Sequence, residues 1–194
     1  KVMLQMAIVL TYGAKVPVAR VYKKGARDAG PAPMYLMGYG SYGYTIDPYF
    51  SAARVSVLDR GVLFGVAHVR GSAAMGRPWY DAGKMLNKKN TFTDFIAVAQ
   101  HLVDAGYTVR ERLVVQGGSA GGLLMGAVTN LRPDLFGVVV ASVPFVDVLN
   151  TILDETLPLT VTEWEEWGNP NDAEYYDYIA SYAPYENVAE TDYP

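Results

Sequence analysis

The run Gly-Gly-Ser-Ala-Gly-Gly at residues 117–122 is the part of this sequence best suited to covalent chemistry. It satisfies the G-x-S-x-G pattern, in which a serine lies on a sharp turn between a strand and a helix. Small residues on both sides let such a strained turn pass close to the adjoining elements. The N–H of Ala120, at the start of the following helix, is available to stabilise an oxyanion. We predict Ser119 as a nucleophile; the alternatives are a plain glycine-rich turn or a phosphate loop, and the latter lacks its usual lysine.

A second glycine motif points to a different chemistry. Gly38, Gly40 and Gly43 match G-x-G-x-x-G after a short strand, as in a dinucleotide-binding fold. Residues 44–48 do not open a helix directly, and the strand at 62–69 ends in His and Arg rather than in an acid that holds a ribose. We therefore expect this loop to bring Tyr39 close to the nucleophile instead.

A serine nucleophile needs a base, and the sequence contains only two histidines, His68 and His101. In this kind of fold the triad runs in the order Ser, then Asp or Glu, then His. Both histidines precede Ser119. We expect His101 on a helix surface and His68 in packing at a strand end, so the triad is incomplete within these residues.

The acidic and aromatic run Glu-Trp-Glu-Glu-Trp occupies residues 163–167. Glu163 and Glu165, interleaved with tryptophans, would form an acidic pocket that pairs with a cationic side chain between aromatic walls. The other interpretation is a solvated acidic helix start with its tryptophans packed inward. Spacing alone favours the second interpretation.

The remaining sequence predicts an α/β fold in one domain. Apolar and polar residues alternate around a turn at 13–15, which predicts a β-hairpin, and the segment from 91 to 105 carries a helical apolar stripe. Strands that alternate with helices indicate a sheet whose later strands are parallel. The predicted strands are 4–12, 16–23, 34–37, 62–69, 113–115 and 136–142, and the predicted helices are 50–59, 91–105 and 123–130. Short helices and loops follow residue 151.

Composition excludes several classes of protein. The chain has 194 residues, 51% of them hydrophobic and 19% charged, which argues against disorder because charge is below the usual level of about 25%. A formal net charge of −4 without a basic stripe argues against nucleic acid. There is no cysteine for a disulfide, a thiolate metal site or a nucleophile. The uncharged stretch 113–131 contains too many glycines and polar residues for a membrane span, and residues 2–10 predict a strand rather than a signal peptide.

Seven motifs together resemble the prolyl oligopeptidase family of serine peptidases, in its oligopeptidase B branch. They follow the family order along essentially the whole chain: Gly-Tyr-Gly-Ser-Tyr-Gly at 38–43, His-Val-Arg-Gly at 68–71, Lys-Lys-Asn-Thr-Phe at 88–92, Gly-Gly-Ser-Ala-Gly-Gly at 117–122, Asn-Leu-Arg-Pro-Asp-Leu-Phe at 130–136, Val-Pro-Phe-Val-Asp at 143–147 and Glu-Glu-Trp-Gly-Asn-Pro at 165–170. The last two motifs indicate the branch.

The resemblance implies an α/β-hydrolase-type catalytic domain, with a mostly parallel sheet and flanking helices, that cleaves short peptides after Arg or Lys. It implies that Ser119 is the nucleophile and that the Ala120 N–H and the Tyr39 hydroxyl form the oxyanion hole. Glu163 and Glu165 match acidic residues of the pocket for the residue before the scissile bond (P1). Asp47 matches one of two acids tied to the preceding residue (P2), and the second position is Tyr49 here.

The same resemblance sets the expected context of the chain. Residues 1–194 contain no β-propeller, the Gly-rich run after Gly71 is replaced by Ser-Ala-Ala-Met, and the family's catalytic Asp, His and last sheet strands lie beyond Pro194. We expect a partial catalytic domain that is cytoplasmic, uses no cofactor or metal, binds short basic peptides, and pairs with a propeller and a C-terminal segment. The alternatives are a non-catalytic peptide-binding domain, or an esterase or acylaminoacyl peptidase on the same fold.

Overall fold

Alternating residues at the start of the chain form an antiparallel hairpin, as predicted. In the computed structural model, which describes residues 2–11, 13–47 and 49–194, strand β1 (Val2–Thr11) pairs with β2 (Ala14–Lys23) along their full length. Lys1, the predicted strand end Tyr12 and the predicted turn residue Pro48 lie outside the described residues. The outer strand β1 is mostly exposed, whereas alternate residues of β2 are buried.

Six strands form one mixed sheet in the order β1-β2-β4-β3-β5-β6. The four later strands are β3 (Met34–Met37), β4 (Leu63–Ala67), β5 (Leu113–Gly118) and β6 (Val138–Ser142). β4 is antiparallel to β2, whereas the pairs β3–β4, β3–β5 and β5–β6 are parallel. The predicted parallel arrangement of the later strands is therefore confirmed.

Seven α-helices in the described ranges flank this sheet or follow its last strand. They are α1 (Ala52–Asp59), α2 (Arg77–Asp81), α3 (Lys89–Asp104), α4 (Ala120–Leu131), α5 (Val148–Leu153), α6 (Thr160–Trp167) and α7 (Ala173–Ala180). The sequence missed the short α2, and it placed the start of α4 three residues late. In the described part of the chain, none of the helices combines the length and the apolar character that crossing a bilayer requires.

The core lies where α3 and α4 pack against the sheet. The predicted stripe of α3 is buried at Phe92, Phe95, Val98 and Leu102. Helix α4 has buried residues along most of its length, because it lies between the sheet and its neighbouring helices. This burial fixes the position of its first residue, which follows Ser119 directly.

Sheet topology brings two predicted motifs together at one edge. Strands β3 and β5 are adjacent and parallel, with Met37 opposite Gln116, so both end at the same side of the sheet. A hydrogen bond of 3.2 Å from the Gly38 N–H to Gln116 O continues this pairing one residue beyond the end of β3. Ligand sites of open α/β sheets form at the carboxyl ends of adjacent strands. Tyr39 and Ser119 are thereby placed next to each other.

A buried ion pair ties α3 to the loop that follows β4. The Asp94 carboxylate is fully buried and accepts hydrogen bonds from Arg70 Nε at 2.8 Å, Arg70 Nη2 at 2.6 Å and the Arg70 backbone N–H at 3.0 Å. Such a bidentate arrangement satisfies both charges away from water. Removing one partner leaves the other charge buried and uncompensated.

We expect Asp94→Ala to lower the free energy of unfolding by about 3–5 kcal/mol, because it leaves the Arg70 guanidinium unpaired inside the protein. Asp59→Ala is the control, since it removes an exposed ion pair with Lys23 (3.2 Å) that is worth about 1 kcal/mol or less. Urea unfolding followed by circular dichroism measures both. Equal losses in the two variants would contradict this role of the buried pair.

Candidate functional site

Ser119 lies on a strained turn between β5 and α4. Its backbone has φ 54° and ψ −117°, a combination that non-glycine residues rarely adopt. The Ser119 N–H donates to Ser142 O at 3.0 Å, and its carbonyl accepts from the N–H groups of Gly122 at 2.8 Å and Phe145 at 3.0 Å. The turn is therefore held from β6 and from the segment after it, while the Ser119 residue itself stays exposed.

The glycines around Ser119 are required by close backbone packing. A Cβ atom on Gly117 would lie 2.1 Å from Gly121 O, and one on Gly121 would lie 2.9 Å from Gly38 O. One on Gly122 would lie 2.5 Å from Pro144 Cα. At Gly118, however, the nearest atoms to a Cβ are 3.4 Å and 3.7 Å away, which is ordinary contact. The G-x-S-x-G pattern is thus satisfied where the structure leaves no room for a side chain.

Two hydrogen-bond donors lie beside the Ser119 hydroxyl. Ala120 is the first residue of α4, and in the described structure its N–H meets no carbonyl outside the helix. The Tyr39 phenol is half-buried, and burial raises its pKa above the usual value. The nearby Ser119 side chain lowers this pKa in part, and the negative charges of Glu163 and Glu166 raise it again. Tyr39 therefore remains a protonated donor at neutral pH.

Ser119 and Ala120 open into a pocket of about 330 Å³. Its other lining residues are Tyr42, Val143, Pro144, Phe145, Thr151, Ile152, Pro158, Leu159, Thr160 and Glu163. Five described non-glycine residues have a positive φ, and four of them line this pocket: Tyr42, Ser119, Val143 and Leu159. Backbone strain of this kind concentrates at functional sites, because the surrounding packing has to enforce it.

Glu163 supplies the negative charge of this pocket. Its Oε2 atom accepts hydrogen bonds from Tyr42 Oη at 2.5 Å and from Trp167 Nε1 at 2.8 Å. Within the described ranges, Oε1 receives no hydrogen bond from another side chain or from the backbone. The rings of Tyr42 and Phe145 pack against that of Trp167 at centroid distances of 5.8 Å and 5.6 Å. The arrangement is a carboxylate with one open oxygen between aromatic walls.

The structure does not bring the other two predicted acids to this pocket. Glu165 is exposed. It follows Glu163 by two positions in α6, and this spacing directs its side chain about 200° around the helix axis from that of Glu163. Asp47 is also exposed, and it lines a separate apolar cleft of about 180 Å³ beside His68.

Neither histidine lines the pocket that contains Ser119. His68 lies across the sheet edge beside Asp47; burial lowers the pKa of its imidazole, and the Asp47 charge raises it in part. His101 lies in the last turn of α3 and is half-buried. Over the described ranges, no three His, Asp or Glu side chains group closely enough to hold a metal ion. The described residues that line the pocket of Ser119 therefore include no imidazole.

Sequence reasoning missed Tyr42 in the wall of the pocket and two buried residues behind it, Glu166 and Lys88. Glu166 is buried and accepts hydrogen bonds from the Tyr42 N–H at 2.9 Å and from Tyr80 Oη at 2.6 Å. Lys88 is buried beneath the loop at 38–43. A signal for Glu166 was its spacing of three from Glu163, which places both on one face of a helix. Tyr42 and Lys88 belong to the family motifs at 38–43 and 88–92. These motifs give the residue types but do not indicate which atoms the two side chains contact.

Known proteins resemble this chain in both sequence and structure. The model of the prolyl oligopeptidase family matches residues 48–194. Protease 2 of Moraxella lacunata is 56% identical over 182 residues, which cover 94% of this chain and 26% of that protein. The structure of oligopeptidase B from Leishmania major matches with a TM-score of 0.96 at 50% identity, over 100% of this chain and 27% of that one.

A second solved structure carries a ligand. Oligopeptidase B from Trypanosoma brucei, in a closed form with covalently bound antipain, matches with a TM-score of 0.97 at 49% identity, over 100% of this chain and 28% of that one. This chain therefore spans about a quarter of the length of the relatives that it matches.

In protein expressed from the complete coding sequence, we expect Gly117→Ala to abolish the reactivity of Ser119 toward a fluorophosphonate, because the new methyl group cannot fit 2.1 Å from Gly121 O without displacing the turn. Gly118→Ala is the matched control, and it should react at close to the wild-type rate since its Cβ has room. Labelling rates of the two variants, with thermal unfolding in parallel, measure the difference. Similar rates in both variants would contradict the steric explanation of the motif.

Proposed function

Because this chain belongs to the prolyl oligopeptidase family, a family of serine peptidases, we propose that it forms part of the catalytic domain of a peptidase that cleaves short peptides after Arg or Lys. The family resemblance read from the sequence is confirmed, as are its oligopeptidase B branch and the α/β-hydrolase fold. The basic specificity and the acyl-enzyme mechanism are our proposals for the whole protein.

In the proposed reaction, Ser119 Oγ attacks the scissile carbonyl carbon and its proton passes to a histidine outside residues 1–194. The carbonyl oxygen becomes an oxyanion, which accepts hydrogen bonds from the Ala120 N–H and the Tyr39 hydroxyl. The imidazolium then protonates the leaving amine, and the acyl-enzyme on Ser119 is hydrolysed by water. The strained turn, the donors beside it and the covalent antipain in the Trypanosoma brucei structure support this sequence of steps.

The observation that carries the basic specificity is the open carboxylate oxygen of Glu163 in the pocket of Ser119. Tyr42 and Trp167 both donate to Oε2, so Oε1 is left for a cation of the substrate. Both donors also hold the carboxylate in one orientation, which lowers the entropy lost on binding. The aromatic walls add cation–π attraction for a guanidinium or an ammonium. An uncharged P1 residue such as proline would cover this carboxylate without supplying a countercharge or a hydrogen bond to Oε1.

Asp47 is proposed only for a second basic residue of the substrate. It is exposed at the edge of the 180 Å³ cleft, outside the pocket of Ser119, where a neighbouring substrate residue can reach a carboxylate. Tyr49 is exposed too, but it offers no charge. The preference for paired basic residues therefore depends on Asp47 alone.

We expect Glu163→Gln to lower kcat/KM for Arg and Lys substrates by roughly 30-fold or more, since losing a buried charge partner costs about 2–5 kcal/mol. Glutamine keeps an oxygen for the Tyr42 and Trp167 hydrogen bonds, so the pocket should remain folded. Glu165→Gln removes the same charge from the exposed face, and we expect a change of about threefold or less. Hydrolysis of peptide amides with Arg, Lys, Pro or Phe at P1, by protein expressed from the complete coding sequence, measures these effects. Equal losses in both variants, or wild-type preference for Pro or Phe, would contradict the basic specificity.

We expect Ser119→Ala to abolish both hydrolysis and fluorophosphonate labelling, because the attacking oxygen is removed. The same assays separate the alternative functions. A wild-type protein that reacts with neither reagent is a non-catalytic peptide-binding domain, and one that cleaves esters but no peptide amide is an esterase. Either outcome would overturn the peptidase proposal.

A further inference from the structure

Lys88 is a fully buried lysine directly beneath the loop at 38–43. It is 1% exposed, and its ammonium donates to Gly40 O at 2.6 Å, Ser41 Oγ at 2.7 Å and Gly83 O at 3.2 Å. Gly40 and Ser41 are the two residues between Tyr39 and Tyr42. One ammonium therefore holds the middle of the short segment that carries both the oxyanion donor and the hydrogen-bond partner of Glu163.

Three glycines bring the backbone close enough for this contact. A Cβ atom on Gly71 would lie 2.0 Å from Gly40 O, and one on Gly83 would lie 2.1 Å from Gly71 N. One on Gly40 itself would lie 2.3 Å from Thr91 Cγ2 in the first turn of α3. The carbonyls of Gly40 and Gly83 thus converge on one point, and Lys88 Nζ occupies it.

A buried carboxylate holds the same loop through a different group. Glu166 accepts the Tyr42 N–H at 2.9 Å and is 3% exposed. Within the described part of the chain, Lys88 and Glu166 form no ion pair with each other, and the Trp167 ring lies 5.0 Å from Lys88 Nζ. Lys88 donates hydrogen bonds to acceptors of the loop, and Glu166 accepts a hydrogen bond from a backbone N–H of the same loop. The loop is therefore held by two groups of opposite charge that form no ion pair with each other.

Burial of the Lys88 ammonium has a desolvation cost that makes the free energy of folding less favourable. Burial lowers the pKa of Lys88 to about 7, although the Glu166 charge raises it in part. An apolar side chain of similar length would fill the same space without this desolvation cost. What an apolar side chain cannot do is satisfy three converging acceptors at once, and two of these belong to the loop next to Tyr39.

We propose that Lys88 is a positioning residue for catalysis: by holding Gly40 O and Ser41 Oγ, it sets the position of the Tyr39 hydroxyl opposite Ser119. The inference rests on the proposed function, since it assigns Tyr39 to the oxyanion. Lys88 itself touches no substrate. Misplacing a catalytic group by about 1 Å can cost a factor of about 100 in rate.

A double-mutant cycle on Lys88→Met and Tyr39→Phe tests the proposal in protein expressed from the complete coding sequence. We expect each single variant to lower kcat for an Arg substrate, and the labelling rate of Ser119 by a fluorophosphonate, by about 10- to 100-fold. Because Lys88 acts through the Tyr39 hydroxyl, the double variant should fall no more than about threefold below the slower single variant. Losses that multiply, or a Lys88→Met variant as fast as the wild type, would overturn the proposal.

Lys89→Met is the matched control, because Lys89 is the exposed neighbour of Lys88. We expect this substitution to leave both kcat and the labelling rate of Ser119 unchanged. If Lys88→Met does not fold, Ser41→Ala replaces it in the cycle, because it removes one acceptor of the same ammonium. The fluorophosphonate carries no basic residue, so labelling does not depend on a preference for Arg or Lys. The double-mutant cycle can therefore still be measured by labelling if the proposed Arg and Lys specificity is wrong. A wild-type protein that is inert in both assays overturns the peptidase proposal and this inference with it.

Discussion

The site depends on close backbone contact between two turns that leave adjacent strands. The turn after β5 carries Ser119, the turn after β3 carries Tyr39, and Gly121 meets Gly38 where a side chain would leave no room. Parallel pairing of β3 with β5 aligns the two strand ends, so this contact follows directly from the register of the sheet. A displacement of one turn would displace the other, because tightly packed backbone atoms cannot move aside as a flexible side chain can. Ser119 and Tyr39 therefore lie on one rigid unit.

Strain and buried charge are concentrated around this unit. Tyr42, Ser119, Val143 and Leu159 all have positive φ, and each lines the same pocket. Such conformations persist only where surrounding contacts over-determine them. Behind the pocket, Glu166 accepts a hydrogen bond from the Tyr42 N–H, Lys88 donates to Gly40 O, and Asp94 accepts from the Arg70 N–H. Buried charged groups thus hold backbone atoms of the loops next to the pocket.

The acidic pocket shows how local geometry selects among similar residues. Three glutamates occur within four positions of α6, yet they have three different environments. Glu163 faces the pocket, Glu165 faces solvent, and Glu166 lies inside against the Tyr42 loop. A helical rotation of about 100° per residue turns Glu165 away from the other two, whereas Glu163 and Glu166, three positions apart, lie on one side of the helix. Of these carboxylates, Glu163 alone lines the pocket of Ser119.

The sequence by itself determined the α/β class, the order of the strands along the chain, the turn that carries Ser119 and the family, because these depend on local periodicity and on short motifs of small residues. It also predicted that Tyr39 approaches Ser119. Only the tertiary structure decided that Glu163 and not Glu165 enters the pocket, that Asp47 lies in another cleft, and that Lys88 is buried beneath the loop. These facts depend on contacts between residues that are tens of positions apart, and local periodicity and short motifs do not specify such contacts.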